Sequence, residues 1–334
     1  MKRIVSLGPL VVDLVVSLQK LPAPGEMNYV TEEQHGKISK NVGGHAAIVS
    51  TNMVKLGWRP DCVSVVGAVG DDENGRFLEK SLGKHEMTLK LFKGESPTAE
   101  NIIIAVQGEE KRYDLNPGAN LDLNRDFSLK ALDELQPDIV YCCPGYTGID
   151  NNLKYIFGEI KEKFESFIFL DSVDPYERPK NFVASSLKYV NAFKLNQEEA
   201  KIVTGASTIP GSLERLRNLG VETVFITRGP EGVEGFSNET SFSQPSFKVK
   251  SVDQTGCGDA FSAGLIYQME ETGKPFSSMS EDKLIRTLAF GQATGAIAAT
   301  EAGSTTAVSR EKVSSLLDEQ KAEVLSATEV EDQS

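Results

Sequence analysis

Short apolar runs alternate with amphipathic segments along most of this chain. Ile4–Leu7, Val63–Val66, Ile139–Tyr141, Phe167–Leu170, Tyr189–Phe193 and Thr223–Thr227 are mostly apolar and short, the pattern of strands buried on both faces. Between them Ala46–Leu56, Asn74–Leu82, Leu153–Phe164, Glu198–Val203 and Leu213–Leu219 carry helical spacing. Strands that alternate with helices predict βαβ crossovers: an α/β fold with a central, mostly parallel sheet covered by helices on both sides. No period of about 20–50 residues recurs, so a solenoid is excluded.

Two stretches break the rhythm. Val11–Leu18 continues as strand-like sequence straight after the first strand, and Ala99–Leu115 reads as a hairpin, NIIIAV then QGEE then KRYDL. Each is too short for a domain. They read as a small β layer projecting from the α/β body, either a lid over a site or a decorated sheet edge. From Leu284 onward the chain reads as helical, and Ala327–Ser334 is polar and reads as a frayed tail.

Composition narrows the function. The 334 residues hold 35 Lys+Arg against 48 Asp+Glu, a net charge of −13, with no basic block. Neither nucleic acid nor an anionic membrane surface suits such a chain, because both need clustered cations. A phosphate-bearing ligand stays open, since backbone amides and a metal can hold one. The cysteines Cys62, Cys142, Cys143 and Cys257 form no CxxC pair, which reads as a reduced, cytoplasmic protein. The opening MKRIVSLGPLVVDLVVSLQ imitates a signal peptide, but Gly8-Pro9 and Asp13 interrupt it and no small-residue cleavage site follows.

The most informative stretch is Ser251–Met269, SVDQTGCGDAFSAGLIYQM. Its Gly256-Cys257-Gly258 turn runs into an apolar helix, and helix N-termini offer unpaired N–H groups to anions. Asp259 then places a carboxylate beside that anion site. It is either a favourable first-turn dipole partner or a base that takes a proton during phosphoryl transfer. Gly43-Gly44 and His45 open a second glycine-rich helix start in KNVGGHAAIVSTNMVKLG, which alone reads as a tight helix entry. In ITRGPEGVEGF, Thr227, Gly229 and Gly232 follow a strand and alone read as a turn. GxxxxGK[ST], HExxH, GxSxG and a strand–GxGxxG–helix fingerprint are all missing, which counts against a P-loop, a zinc hydrolase and a Rossmann dehydrogenase.

Order matters more than any single motif. GPLVVD, PAPGE (Pro22–Glu26), the Gly43-Gly44 helix start, VGAVGDDENGRFL (Val66–Leu78), NPGAN (Asn116–Asn120), LNQEEA, TRGPEG and DQTGCGDAF follow one another as in the ribokinase-like (phosphofructokinase B type) carbohydrate kinases, which the chain resembles along nearly its whole length. The resemblance implies a three-layer α/β/α fold with a β-sheet lid. One kinase domain would span residues 1–325, with lid segments at about 11–40 and 98–118 and a polar tail at 326–334. It implies transfer of the ATP γ-phosphate to a hydroxyl of a small sugar, sugar acid or polyol. By position Asp259 is the base, and the amides of Gly256, Cys257 and Gly258 form the anion hole. Asp13, Gly43, Gly44 and His45 would hold the substrate. Asn196, Thr227, Gly229, Gly232 and Gln292 would line the nucleotide site, and Glu199 would hold Mg2+ through water. Asp253, Thr255, Ala298 and Gly303 would surround a monovalent cation such as K+.

Three positions depart from the family pattern. Cys257 replaces the commoner Ala and keeps the amide. Gln254 replaces a Thr beside the cation cluster. Ile48 stands where many members carry an Asn that reads sugar hydroxyls, which predicts a less polar pocket. A nucleoside kinase of the same fold, or a non-catalytic ligand-binding relic, are the alternatives. Lys111 and Arg112 are the lid cations available to a phosphorylated substrate. The apolar faces of Val11–Leu18 and Ile102–Val106 suit a homodimer through the lid.

Overall fold

The computed structural model describes residues 1–31, 36–171 and 182–332, with side-chain placement through Glu331. In chain order the described elements are β1 (Ile4–Leu7), β2 (Val11–Leu18), β3 (Lys37–Gly43), α1 (His45–Leu56), β4 (Val63–Val69), α2 (Glu73–Gly83), β5 (Thr88–Lys93), β6 (Glu100–Val106), β7 (Arg112–Asn116), α3 (Arg125–Leu135), β8 (Ile139–Cys142), α4 (Leu153–Phe164), β9 (Phe167–Asp171), β10 (Ala192–Asn196), α5 (Gln197–Thr204), α6 (Ile209–Asn218), β11 (Thr223–Thr227), β12 (Val233–Ser237), β13 (Thr240–Gln244), α7 (Cys257–Thr272), α8 (Glu281–Ala298), α9 (Arg310–Ser326) and β14 (Glu329–Asp332).

Ten strands form one sheet in the order β14-β13-β12-β11-β10-β9-β8-β1-β4-β5. From β5 through β11 neighbouring strands are parallel, and β12, β13 and β14 add an antiparallel edge. Alternation along β1 shows how the layers arise: Ile4 packs into one core with Met53 of α1, Leu265 of α7, Leu288 of α8 and Val313 of α9. Val5 and Leu7 point to the opposite core with Leu132 of α3, Ile156 of α4, Val203 of α5 and Leu216 of α6. Cys142 and Cys143 divide between the two cores in the same way. The expected three-layer α/β/α body is therefore present.

A second sheet, ordered β3-β2-β6-β7, stands apart from the first. It contains both stretches read from sequence as a β layer, plus β3, whose Lys- and Ser-rich sequence hides a strand. β2 leaves β1 after only three residues, Gly8 to Leu10, so this small sheet sits at the carboxyl ends of the main strands. β1 lies between β8 and β4, where the strand order reverses, and open α/β sheets bind ligands at that place.

Two expectations need correction. The strand read as Tyr189–Phe193 is β10, Ala192–Asn196, and Tyr189 instead ends a 3-10 turn from Ala184. Tyr189 and Val190 are apolar because they pack on the core beside the strand, while Lys194 disguises the strand's true end. The polar tail is also not wholly frayed: Glu329–Asp332 pairs antiparallel with Thr240–Ser243 and extends the main sheet.

Candidate active site

α7 starts directly after Gly256, whose φ of 77° is a left-handed conformation, and a Cβ there would lie 2.6 Å from Cβ of Ser304. A Cβ on Gly258 would lie 2.8 Å from Lys194 Nζ. Glycine is thus demanded at 256, while at 258 it leaves room for the Lys194 ammonium, and the first turn of α7 presents backbone rather than side chains. The Cys257 amide already donates to the Gln254 carbonyl over 3.3 Å, a long bond. Asp259, only 5% exposed, follows in the first turn.

The second glycine-rich turn meets the first. Gly44 has φ 86°, and a Cβ on it would lie 2.4 Å from the Pro9 carbonyl oxygen. This tight approach starts α1 at His45, whose Nδ1 lies 2.7 Å from Asp259 Oδ1. Burial disfavours the imidazolium, but the Asp259 carboxylate outweighs it with help from Cys143, and the His45 pKa is held well above its usual range. A Cβ on Gly43 would meet Asp13 Oδ2 at 2.4 Å, so that glycine makes room for the aspartate.

Asp13 belongs to a polar row across the small sheet. In register it faces Asn41 of β3 and Asn101 of β6, and Asn101 Nδ2 donates to Asp13 Oδ1 over 3.4 Å. Burial is the largest influence on Asp13 and raises its pKa to about 6, against the lowering effects of Asn101 and His45.

Under the α7 turn lies a buried ion pair: Lys194 Nζ donates to Asp171 Oδ1 over 2.8 Å, and Tyr141 and Ser262 hydroxyls donate to Asp171 Oδ2 over 3.1 and 2.7 Å. Burial opposes the ammonium, but the carboxylates of Asp171, Glu199 and Asp259 hold the Lys194 pKa above its ordinary value. Next along the sheet, Asn196 caps α5. Its Oδ1 accepts the Glu198 and Glu199 amides at 2.9 and 2.8 Å, and Glu199 Oε2 accepts the Asn196 amide at 2.7 Å. Burial raises the Glu199 pKa to about 7. Thr227 lies opposite Asn196 in register, and Gly229 and Gly232 follow with φ of 56° and 104°.

The sequence profile of the pfkB family carbohydrate kinases matches residues 1–311. The chain belongs to that family. It is 25% identical to fructokinase-1 of Zea mays over 324 residues, covering 90% of this chain and 92% of the relative. To aminoimidazole riboside kinase of Salmonella typhimurium it is 24% identical over 298 residues, covering 84% and 89%. The structure of fructokinase with bound ATP from Xylella fastidiosa superposes with a TM-score of 0.77 at 20% identity, covering 96% of this chain and 100% of that one. Family membership makes the protein an ATP-dependent carbohydrate kinase with a ribokinase-like fold.

Of the residues expected at the substrate side, His45 meets Asp259, Gly43 lies against Asp13, and Asp13 feels the charges of His45 and Asp259. Asn196 and Thr227 share the carboxyl ends of neighbouring strands. Asp253, Thr255 and Gly303 are joined by hydrogen bonds: Asp253 Oδ1 accepts the Thr255 amide at 2.8 Å and Oδ2 the Gly303 amide at 3.2 Å. Next to Ala298, at the end of α8, the Ala299 carbonyl accepts the Val252 and Asp253 amides at 2.7 and 3.1 Å and ties this segment to the helix end. Gln292 is buried on α8. Its Nε2 donates to Gln244 Oε1 (2.8 Å) and the Pro245 carbonyl (2.9 Å), tying α8 to the end of β13.

Sequence reasoning missed Lys194, Asp171 and Asn101. A signal existed for the first two, since a Lys and an Asp at the ends of otherwise apolar strands need a buried partner. Asn101 carries none, because only pairing in register brings it to Asp13.

Proposed function

We propose that this kinase phosphorylates an unphosphorylated sugar, sugar acid or polyol, with Asp259 as the proton acceptor. The contact between His45 Nδ1 and Asp259 Oδ1 carries the assignment: one carboxylate oxygen is held, so the other can face a substrate hydroxyl. As the hydroxyl oxygen attacks the γ-phosphorus, its proton passes to Asp259. The bond from that phosphorus to the bridging oxygen breaks, and its electron pair leaves with ADP. The amides of Gly256 and Gly258 oppose the charge on the transferring group, Cys257 contributing once its long bond to Gln254 is released. Lys194, beneath Gly258, adds a fixed positive charge.

Asp13, flanked by Asn41 and Asn101, suits several substrate hydroxyls, with Gly43 leaving room for its carboxylate and Gly44 setting the tight start of α1 beside it. Thr227, Gly229 and Gly232 line the nucleotide side, where Gln292 keeps the 244–245 chain in place. Magnesium fits the donor set of Asn196 and Glu199: Glu199 is a buried carboxylate with Oε2 bonded to backbone, which suits holding the hydrated ion rather than stripping it. Magnesium supplies charge neutralisation of the nucleotide phosphates. A homodimer through the outer face of the small sheet and a cytoplasmic location complete the reading. No described helix is long and apolar enough to cross a membrane.

A nucleoside acceptor is the second reading, favoured by Ile48: it is only 4% exposed yet belongs to neither apolar core. ADP release with Mg-ATP across sugars, sugar acids, polyols, sugar phosphates and nucleosides decides between them. Asp259→Asn, run in parallel, is expected to lose about 10²–10⁴-fold in kcat on the best substrate. Turnover that survives the substitution would remove Asp259 from the base's role.

A further inference from the structure

Lys111 stands immediately before β7, at the tip of the small sheet's hairpin, 142 residues from Asp253. Its ammonium nevertheless pairs with Asp253 Oδ1 and donates to Thr255 Oγ1 over 2.8 Å. Asp253 is only 10% exposed and Lys111 22%. Both oxygens of the carboxylate are engaged, Oδ1 by Lys111 and the Thr255 amide and Oδ2 by the Gly303 amide. Burial works to raise the Asp253 pKa, but the Lys111 contact and the Thr255 amide outweigh it and hold it below the ordinary range.

These residues overlap the set that the family resemblance assigns to a monovalent cation. The fit to a free cation is poor. The charge a cation would bring is already present as the Lys111 ammonium on Asp253 Oδ1 and Thr255 Oγ1, and the other carboxylate oxygen is taken by the Gly303 amide. An unneutralised carboxylate beside the 256–258 turn would repel an incoming phosphate, so some cation must compensate it.

We propose that Lys111 is a positioning residue that does in cis what a free monovalent cation would do. Its ammonium neutralises Asp253 and braces the 253–258 segment only when the hairpin lies over the site. Anion-hole assembly is thereby coupled to closure of the small sheet, and the kinase needs no added monovalent cation. The proposal rests on the kinase reading for its catalytic consequence, but the contact itself can be tested without turnover.

The test compares wild type, Lys111→Met and Lys111→Arg in choline chloride and potassium chloride at equal ionic strength. Rates with the best substrate from the panel, and melting temperatures of the ligand-free protein, are read in both salts. Wild type and Lys111→Arg are expected to change less than about 2-fold in kcat between the salts. Lys111→Met should fall about 10-fold or more in choline and regain several-fold in potassium, within the usual range of coupling between sites. Its melting temperature should rise in potassium but not in choline, because only the variant leaves Asp253 open to the ion. Potassium activation of wild type by about 5-fold or more would overturn the proposal, as would a Lys111→Met protein indifferent to potassium in both rate and melting. If wild type turned over nothing in the panel the kinase reading would fail, while the melting comparison would still decide whether Lys111 fills the cation's place.

Discussion

At the scale of single residues, the site is a set of ionisable groups whose burial would be unfavourable without their partners. Asp13 shows the cost most directly. Its pKa is about 6 in the folded protein against 3.8 for an unperturbed side chain, so between those values the folded state holds a proton that the unfolded chain has released. Stability therefore falls as pH rises through that window and stays lowered above it, by about 2–3 kcal/mol at neutral pH. Asp13→Asn should melt higher than wild type at pH 7.5 and lose the pH 4–6 slope, while KM for the substrate rises about 10-fold or more. Melting curves that run parallel for the two proteins across pH 4–7.5 would show that Asp13 titrates normally. Lys194 makes the complementary case: a buried ammonium is tolerated because Asp171 is bonded to it and further fixed by Tyr141 and Ser262.

At the scale of elements, two helix starts do most of the positioning. α1 and α7 each begin at a glycine with positive φ, Gly44 and Gly256, and each glycine is pressed against other chain atoms. Gly256→Ala combines left-handed strain of about 1–2 kcal/mol with collision against Ser304, and it displaces the amides it precedes. Its kcat is expected to drop about 10²-fold or more, as for loss of an oxyanion-hole donor. Cys257→Ala keeps every backbone amide and should remain within about 3-fold of wild type. Equal activity in both variants, measured by ADP release, would remove the turn from the anion-hole role. The glycine pairs and the helix that follows each were legible in sequence, because only close backbone approach explains them in front of an apolar helix. β3 was not legible: its Lys37, Ser39 and Lys40 lie on an exposed strand, where hydrophobic alternation is not required.

At the scale of the whole molecule, the small sheet has two different faces. Asp13, Asn41 and Asn101 line the row turned to the site. The opposite face carries Ile38, Val16 and Ile104 in one register row and Leu14 and Ile102 in another. Ile38 is 58% and Ile102 41% exposed, a contiguous apolar patch of the kind that marks an association surface. Sedimentation should find a dimer at micromolar concentration for wild type and a monomer for Ile38→Glu combined with Ile102→Lys. A monomeric wild type, or an unchanged dimer in the double variant, would refute association through this face.

The order of motifs and the period of the apolar runs were enough to determine the α/β class, the parallel sheet, the lid hairpin and the two glycine-rich helix starts. These are local properties, written in spacing and backbone demand within a few residues. Tertiary structure alone decided what faces what. His45 reaches Asp259 across 214 residues, Lys111 reaches Asp253 across 142, and Asn101 reaches Asp13 across 88. The polar chain end becomes β14 only because β13 offers it a free edge. Such contacts depend on strand order and register, which bring distant carboxyl ends together, and residue spacing along one chain carries no record of them.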